Sequence, residues 1–443
     1  MSSSHSAPPS LRPQRAVTFT GLVAITFLCV AGGAFGLEDA VGASNPFVVM
    51  TGILLLPWLW SFPTALMTAE LSTAMPEDGG YVLWVQKAFG RFWGFQEGWL
   101  SWLCSFADNA LYPVMFVDYL AYLRGEMPPL ERWLIGTSVI AAITWLNIRG
   151  IRLVALTSVV FTLFVLAPFA ALVIVGAHSV EPSVWLARSG DINWALLMST
   201  LLWNTSGWDN SGCCAGEVKN PERIYPRAMA LTVLLVTLAY LLPIAVGVSA
   251  DTNGSEWKEG YFPVVAARIG GAWLGTWLTL AGIVSAAAML SALLCTSARV
   301  PYAMADRGML PRPFAALHAR YATPWVAIII NSLGLAMLIP FSFQELIEVD
   351  MCLYALALIL EFAAFIWLRV KQPEMPRPYR IPYGTPGAIL ISVPPIVLCL
   401  TSIGVSNIAT KYVSLAGIAA GVLVYWAQCR MRATRETEPA PTA

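Results

Sequence analysis

The sequence predicts an all-α membrane protein with twelve transmembrane helices. Three observations carry this prediction. Hydrophobic residues make up 57% of the 443 and charged residues only 12%, far from a soluble globular mix. Twelve apolar segments are each long enough to cross a bilayer. With the connections alternating sides, all but six of the 26 Lys and Arg fall on one face, the six being Arg124, Arg132, Arg188, Lys258, Arg268 and Lys411. The positive-inside bias then places both termini in the cytoplasm.

Residues 1–16 are rich in Ser and Pro and read as a disordered cytoplasmic tail. No small-residue cleavage site follows the first apolar run, so no signal peptide is expected. The spans run 17–43, 47–75, 93–123, 130–148, 152–177, 193–214, 226–249, 263–296, 324–341, 343–369, 386–408 and 411–430. The eighth, 263–296, has length for a spanning helix and an extra turn or two. The loop before it, 250–262, is acidic (Asp251, Glu256, Glu259) and holds the glycosylation sequon Asn253-Gly-Ser. Residues 431–443 form a second cytoplasmic tail. The eight cysteines all fall in or beside apolar stretches, with neither metal-ligand spacing nor a disulfide framework. The three histidines lie outside the apolar runs.

Two spans are interrupted. The sixth opens as an apolar helix and then meets Asn204, Thr205, Ser206, Gly207, Asp209, Asn210, Ser211 and Gly212, all poor helix formers. The first contains AGGAFG at 31–36, where Gly32, Gly33 and Gly36 weaken the helix and let a ligand approach the backbone. Irregular backbone at membrane depth is tolerated only where protein buries it or where it lines a cavity. The two breaks lie five spans apart. Matching interruptions in two halves of a chain mark the binding site of a transporter built from inverted repeats. The repeats are then 17–177 and 193–369, within one domain over 17–430, and the spans in 386–430 lie outside them.

Carboxylates fall inside the spans, where each is a functional-site candidate. Asp209 lies inside the sixth-span break, with Trp203 and Trp208 as flanking aromatics. Glu97, Ser101, Cys104, Asp108, Tyr112, Met115 and Tyr119 recur at three and four residues and share one face of the third span. Asp350, Tyr354, Ala357 and Glu361 do the same in the tenth. Glu97 and Asp350 are near enough to span ends to pair or cap. Asp209, Asp108 and Glu361 have no evident basic partner in sequence. An unpaired buried carboxylate either stays protonated or waits for a cation, which suits a cationic solute moved with protons. Asp108 and Glu361 are the candidate proton carriers. Glu70 and Glu217, at the basic ends of spans two and six, are expected to be structural, as caps or gates.

Longer motifs resemble the amino acid–polyamine–organocation transporter superfamily along almost the whole chain. They are AGGAFGLEDAVG (31–42), TAELSTAMPEDGGYVLWVQKAFG (68–90), GEVKNPERIYPRA (216–228) and RVPYAMADRGMLPRPFAALHARYATPW (299–325). GLEDAVGA, WNTSGWDNSGCCAGEV and LYALALILEFAAFIWLR look like its polyamine-uptake branch of plants and protists. The resemblance implies a leucine-transporter-type fold and proton-driven uptake of putrescine, spermidine or spermine. It also implies substrate contacts at Asp209 and Trp203 and, on looser motifs, at Tyr112, Tyr354 and Glu361.

The expected site is therefore Gly32, Gly33, Gly36, Asp108, Tyr112, Trp203, Asn204, Asp209, Tyr354 and Glu361. Its expected occupants are a small cation and protons, in a plasma-membrane protein without cofactor, metal, nucleic acid or obligate protein partner. A cationic or large neutral amino acid is the alternative substrate, because the first break offers N–H groups to a carboxylate. Sodium remains an alternative coupling ion. An enzyme would need a nucleophile–base pair or a metal set, and the spans contain no histidine.

Overall fold

The computed structural model describes residues 15–188, 190–251, 256–258 and 260–437. Residues 1–14 of the N-terminal tail, the Asn253 sequon, Glu259 and residues 438–443 lie outside the described residues. Apart from two isolated β-bridges, Val17 with Val218 and Asp78 with Cys214, the described residues form no strand.

In chain order the helices are α1 (Phe19–Val30), α2 (Glu38–Gly42), α3 (Pro46–Leu56), α4 (Phe62–Ala74), α5 (Tyr81–Phe89) and α6 (Arg91–Arg124). Then come α7 (Pro129–Ile148), α8 (Ile151–Gly176), α9 (Trp194–Asn204), α10 (Pro221–Ala250), α11 (Phe262–Gly270) and α12 (Ala272–Ser297). The chain ends with α13 (Arg299–Asp306), α14 (Trp325–Leu338), α15 (Phe343–Lys371), α16 (Gly384–Val405) and α17 (Ile408–Thr437). A π-helical turn, Pro57–Ser61, joins α3 to α4 without a gap.

Seven helical stretches among the described residues are long and apolar enough to cross a membrane: Pro46–Ala74, Ile151–Ser179, Pro221–Ala250, Ala272–Asp306, Glu345–Lys371, Gly384–Val405 and Ile408–Arg430. Five of the twelve predicted spans are not among them: the third, the fourth and the ninth, and the first and sixth, which are both broken. The first stops at Val30 and resumes at Glu38; the sixth stops at Asn204 and continues as a 3-10 turn at Asp209–Cys213. Outward-facing Leu and Ile such as Ile174, Leu390 and Leu423 stay more than two-thirds exposed, a surface suited to lipid rather than water.

The structure departs from the sequence reading at the eighth span. Residues 263–296 do not form one long helix. Gly271 adopts φ +85, a left-handed conformation that suits glycine, and separates α11 from α12. Neither α5 nor α13 was expected as a helix. Both are short and flank membrane-length helices.

The breaks pack against each other. Helix α2 lies beside α9, and α1 lies beside the Asp209–Cys213 turn. Small residues permit this closeness, the usual basis of helix association in a bilayer. A Cβ on Gly32 would collide with Ser285 and Met289 of α12, and one on Gly207, at φ +93, with the Cys29 carbonyl.

Candidate functional site: a carboxylate-lined cavity between two broken helices

The freed backbone groups at the breaks are largely claimed by side chains. The Ser285 hydroxyl donates to the Gly32 carbonyl at 2.6 Å, and Asn204 Nδ2 donates to the Gly36 carbonyl at 3.0 Å. The Tyr240 hydroxyl from α10 lies 2.6 Å from the Asn204 carbonyl and 3.3 Å from that of Val30, so it serves both helix ends. The Gly36 N–H donates to Glu38 Oε2 at 2.6 Å. Glu38 is fully buried, and its other oxygen accepts from Tyr119 at 3.2 Å. Thr205 and Ser206 turn their hydroxyls back onto the Leu201 and Leu202 carbonyls, which closes the end of α9.

Between the breaks and helices α6, α12 and α15 lies a narrow cavity. It brings together Asp108, Tyr112, Trp203, Asn204, Asp209, Tyr354 and Glu361 of the expected site. Gly32, Gly33 and Gly36 are not in its wall; the first break contributes Cys29 and Val30 instead. Tyr81, Ser101, Asp350 and Ala357 complete much of the remaining surface.

Asp209 Oδ1 accepts from the Tyr354 hydroxyl at 2.5 Å, and the Gly207 N–H donates to that same hydroxyl at 3.2 Å. The broken helix and α15 are thereby tied at one point. Asp108 Oδ1 accepts from Tyr112 and from Trp203 Nε1, each at 3.2 Å. The Tyr112 and Trp203 rings stack at 6.1 Å and 27°, and Phe343 meets Trp203 edge-on at 5.4 Å. Asp350 Oδ1 accepts from the Cys104 thiol at 2.8 Å. Among the described residues none of these carboxylates forms an ion pair with Lys, Arg or His. Chemically the site is acceptor-rich, aromatic-walled and short of positive charge, a setting for ammonium groups on an apolar stem.

Nearer the basic face lie buried ion pairs. Glu217 pairs with Arg299 at the start of α13. Glu70 accepts from Arg369 Nε at 2.6 Å and the Ile381 N–H at 2.8 Å, with Arg377 at 3.3 Å. These contacts give Glu70 and Glu217 the structural duty expected of them. Asp78, in the loop between α4 and α5, sits against Gly216 beside them. Burial and the nearby Glu217 carboxylate push Asp78 up to about 8, against the pull of Arg299 and of the Gly216 N–H.

Sequence reasoning missed Glu38. Its signal, an acid two residues beyond a glycine break, reads equally as the first turn of a short helix. It also missed Ser285 and Tyr240, which look like ordinary residues of apolar spans.

An all-helical body with membrane-length apolar helices, and a polar cavity at two interrupted ones, defines an integral membrane transport protein. The chain belongs to the amino acid permease family, whose model matches residues 16–426. It is 40% identical over 427 residues to a probable polyamine transporter of Arabidopsis thaliana, covering 95% of this chain and 86% of that one. A polyamine transporter of Oryza sativa subsp. japonica is 39% identical over 416 residues, covering 93% and 78%. More distantly, a serine/threonine exchanger of Bacillus subtilis is 26% identical over 341 residues, 74% of this chain and 77% of that one.

Proposed function

We propose that the chain is a proton-coupled importer of polyamines such as putrescine and spermidine, and not an enzyme. In this reading it is a single transporter domain over 17–430 with twelve spans. Ten form inverted repeats, 17–177 and 193–369, and the spans of 386–430 are accessory. Both termini face the cytoplasm and the membrane is the plasma membrane. The supporting observation is the cavity itself: Asp108, Asp209, Asp350 and Glu361 line it, and none has a basic partner among the described residues. Buried carboxylates of this kind take up either protons or organic cations. The names of the plant relatives point the same way.

Uptake of an amino acid is the competing reading. It needs backbone N–H groups of the first break for the substrate carboxylate. The Gly36 N–H is already held by Glu38 and is not free for an incoming carboxylate. The deciding experiment is uptake of labelled putrescine, spermidine and arginine by the reconstituted protein in proteoliposomes. Under an inward proton gradient both polyamines accumulate, arginine does not, and a protonophore abolishes accumulation. Arginine uptake without polyamine uptake overturns the substrate class. Accumulation that follows sodium and ignores the pH gradient overturns the coupling.

A further inference from the structure

One corner of the basic face has no part in the reading above: the junction of the end of α7, the start of α8 and the loop that leads into α14. The Arg149 guanidinium lies over the Trp145 ring at 4.2 Å and over the Tyr321 ring at 5.8 Å. Arg320 also lies over Tyr321, at 5.4 Å, and the His318 ring stacks on it at 4.8 Å and 29°. Arg152, just past the Gly150 link, is exposed like Arg149 and Arg320. Among the described residues none of the three arginines forms an ion pair. Nor does the adjoining chain offer one, since it has no Asp or Glu from 132 to 180 or from 307 to 344.

The loop is held in shape. Ala322 adopts φ +52, a left-handed conformation that is costly for a residue with a Cβ. Hydrogen bonds keep it there: the Ala322 N–H donates to the His318 carbonyl and the His318 N–H to the Thr323 carbonyl, each at 2.8 Å. The Thr323 hydroxyl donates to the Ile148 carbonyl at 2.8 Å, which pins the loop to the end of α7. The Arg320 N–H donates to His318 Nδ1 at 3.2 Å. Two like charges are thus fixed around one tyrosine ring, where they repel each other and no ion pair relieves them.

Apolar stripes run from this corner toward the opposite face. They are Leu134 and Trp145 on α7, Leu156 and Val160 on α8, and Leu333 and Met337 on α14, each more than half exposed. Arg149 and Arg152 continue the first two stripes at helical spacing, and Arg320 stands before the third. Helix α7 packs against both α8 and α14, so the three basic ends are neighbours. We propose that this corner binds the phosphate headgroup of an anionic phospholipid, whose acyl chains lie along the stripes. Guanidinium groups match phosphate oxygens with paired N–H donors. With the basic face cytoplasmic, as proposed above, the leaflet there is the one that carries anionic lipid, and basic sites between spans on that side suit its headgroups. Trp145 supplies the interfacial aromatic expected at headgroup level. The lipid site is separate from the cavity and from the solute that the cavity carries.

The test is native mass spectrometry of the full chain, released from micelles that contain either phosphatidylglycerol or phosphatidylcholine, with the affinity of the first bound lipid as the readout. Wild type holds phosphatidylglycerol at least about tenfold more tightly than phosphatidylcholine. Arg149→Gln and Arg320→Gln each weaken phosphatidylglycerol about fivefold, and the double variant about thirtyfold, the loss expected of one and two surface arginines. Phosphatidylcholine binding stays as it was. Arg223→Gln, which removes an exposed arginine from the start of α10 on the same face, leaves phosphatidylglycerol within about twofold of wild type. Equal affinity of wild type for the two lipids overturns the site, and this comparison needs no variant to fold. An equal loss in Arg223→Gln also overturns it, since the attraction then belongs to the whole basic face. Displacement of the lipid by inorganic phosphate at equal concentration overturns the lipid assignment in favour of a free anion.

Discussion

Replacing Asp209 by Asn isolates its charge. The carboxylate is 2% exposed and accepts a hydrogen bond from the Tyr354 hydroxyl. An Asn carbonyl accepts the same bond, so the tie between the broken helix and α15 survives. The shape changes little, and the fold should persist. What disappears is the negative charge that faces a substrate ammonium. Truncating one partner of a buried, hydrogen-bonded charge pair costs about 2–5 kcal/mol. At about 1.4 kcal/mol per tenfold, the half-saturation concentration for a polyamine should rise about thirtyfold or more. Asp209→Glu should keep part of the activity. A rival account has Asp209 capping the turn that follows it. Asn would cap nearly as well as Asp, so that account predicts a mild phenotype for Asp209→Asn. The assay is initial-rate uptake of putrescine and spermidine at matched amounts of reconstituted protein. Near-normal kinetics for Asp209→Asn would refute the reasoning and remove Asp209 from the site.

Three further outcomes are expected. Trp203→Leu removes the ring stacked on Tyr112 and a donor to Asp108, and should raise KM about threefold to thirtyfold, from about 0.5–2 kcal/mol of cation–aromatic attraction; equal losses of folded protein and of uptake would instead make it a packing residue. Glu70→Gln leaves Arg369 buried without a counter-charge and should destabilise the protein by about 3–5 kcal/mol, read as a lowered thermal transition in detergent; an unchanged transition would mean that the pair contributes nothing. Asp78 has its folded pKa raised from 3.8 to about 8, so its neutral form is favoured by folding; that contribution is complete below about 3.8 and is lost as pH rises through about 8. The thermal transition should therefore fall as pH rises from about 4 to about 8 and level off above that, and Asp78→Asn should flatten the fall; a slope that is the same in both proteins refutes the assignment.

The sequence disclosed the parts of this molecule that depend on local composition. Apolar length located the long helices to within a few residues, because lipid demands it. The two breaks were legible because Gly, Asn, Ser and Asp are conspicuous at membrane depth. Asp108 and Tyr112, four residues apart on α6, were placed together by helical period alone. Short flanking helices escaped, since α5 and α13 carry too few turns to stand out from the loops around them. Gly271 looked like one more small residue in an apolar run; only its φ separates α11 from α12. Partnerships across helices were illegible in principle. Nothing in the sequence says that Glu38 turns back onto the Gly36 N–H, or that the Cys104 thiol meets Asp350.

The Tyr240 hydroxyl has a single proton and two carbonyls within its reach, those of Val30 and Asn204. It sits nearer the second, so the first helix end is the underserved one. Should α1 and α9 slide relative to each other, that proton can pass from one carbonyl to the other while the hydroxyl is never left without an acceptor. Such a handover spares the protein the cost of breaking a buried bond during the slide. In that event Tyr240, on a span that carries no charge at that depth, would keep a bond to one helix end or the other throughout.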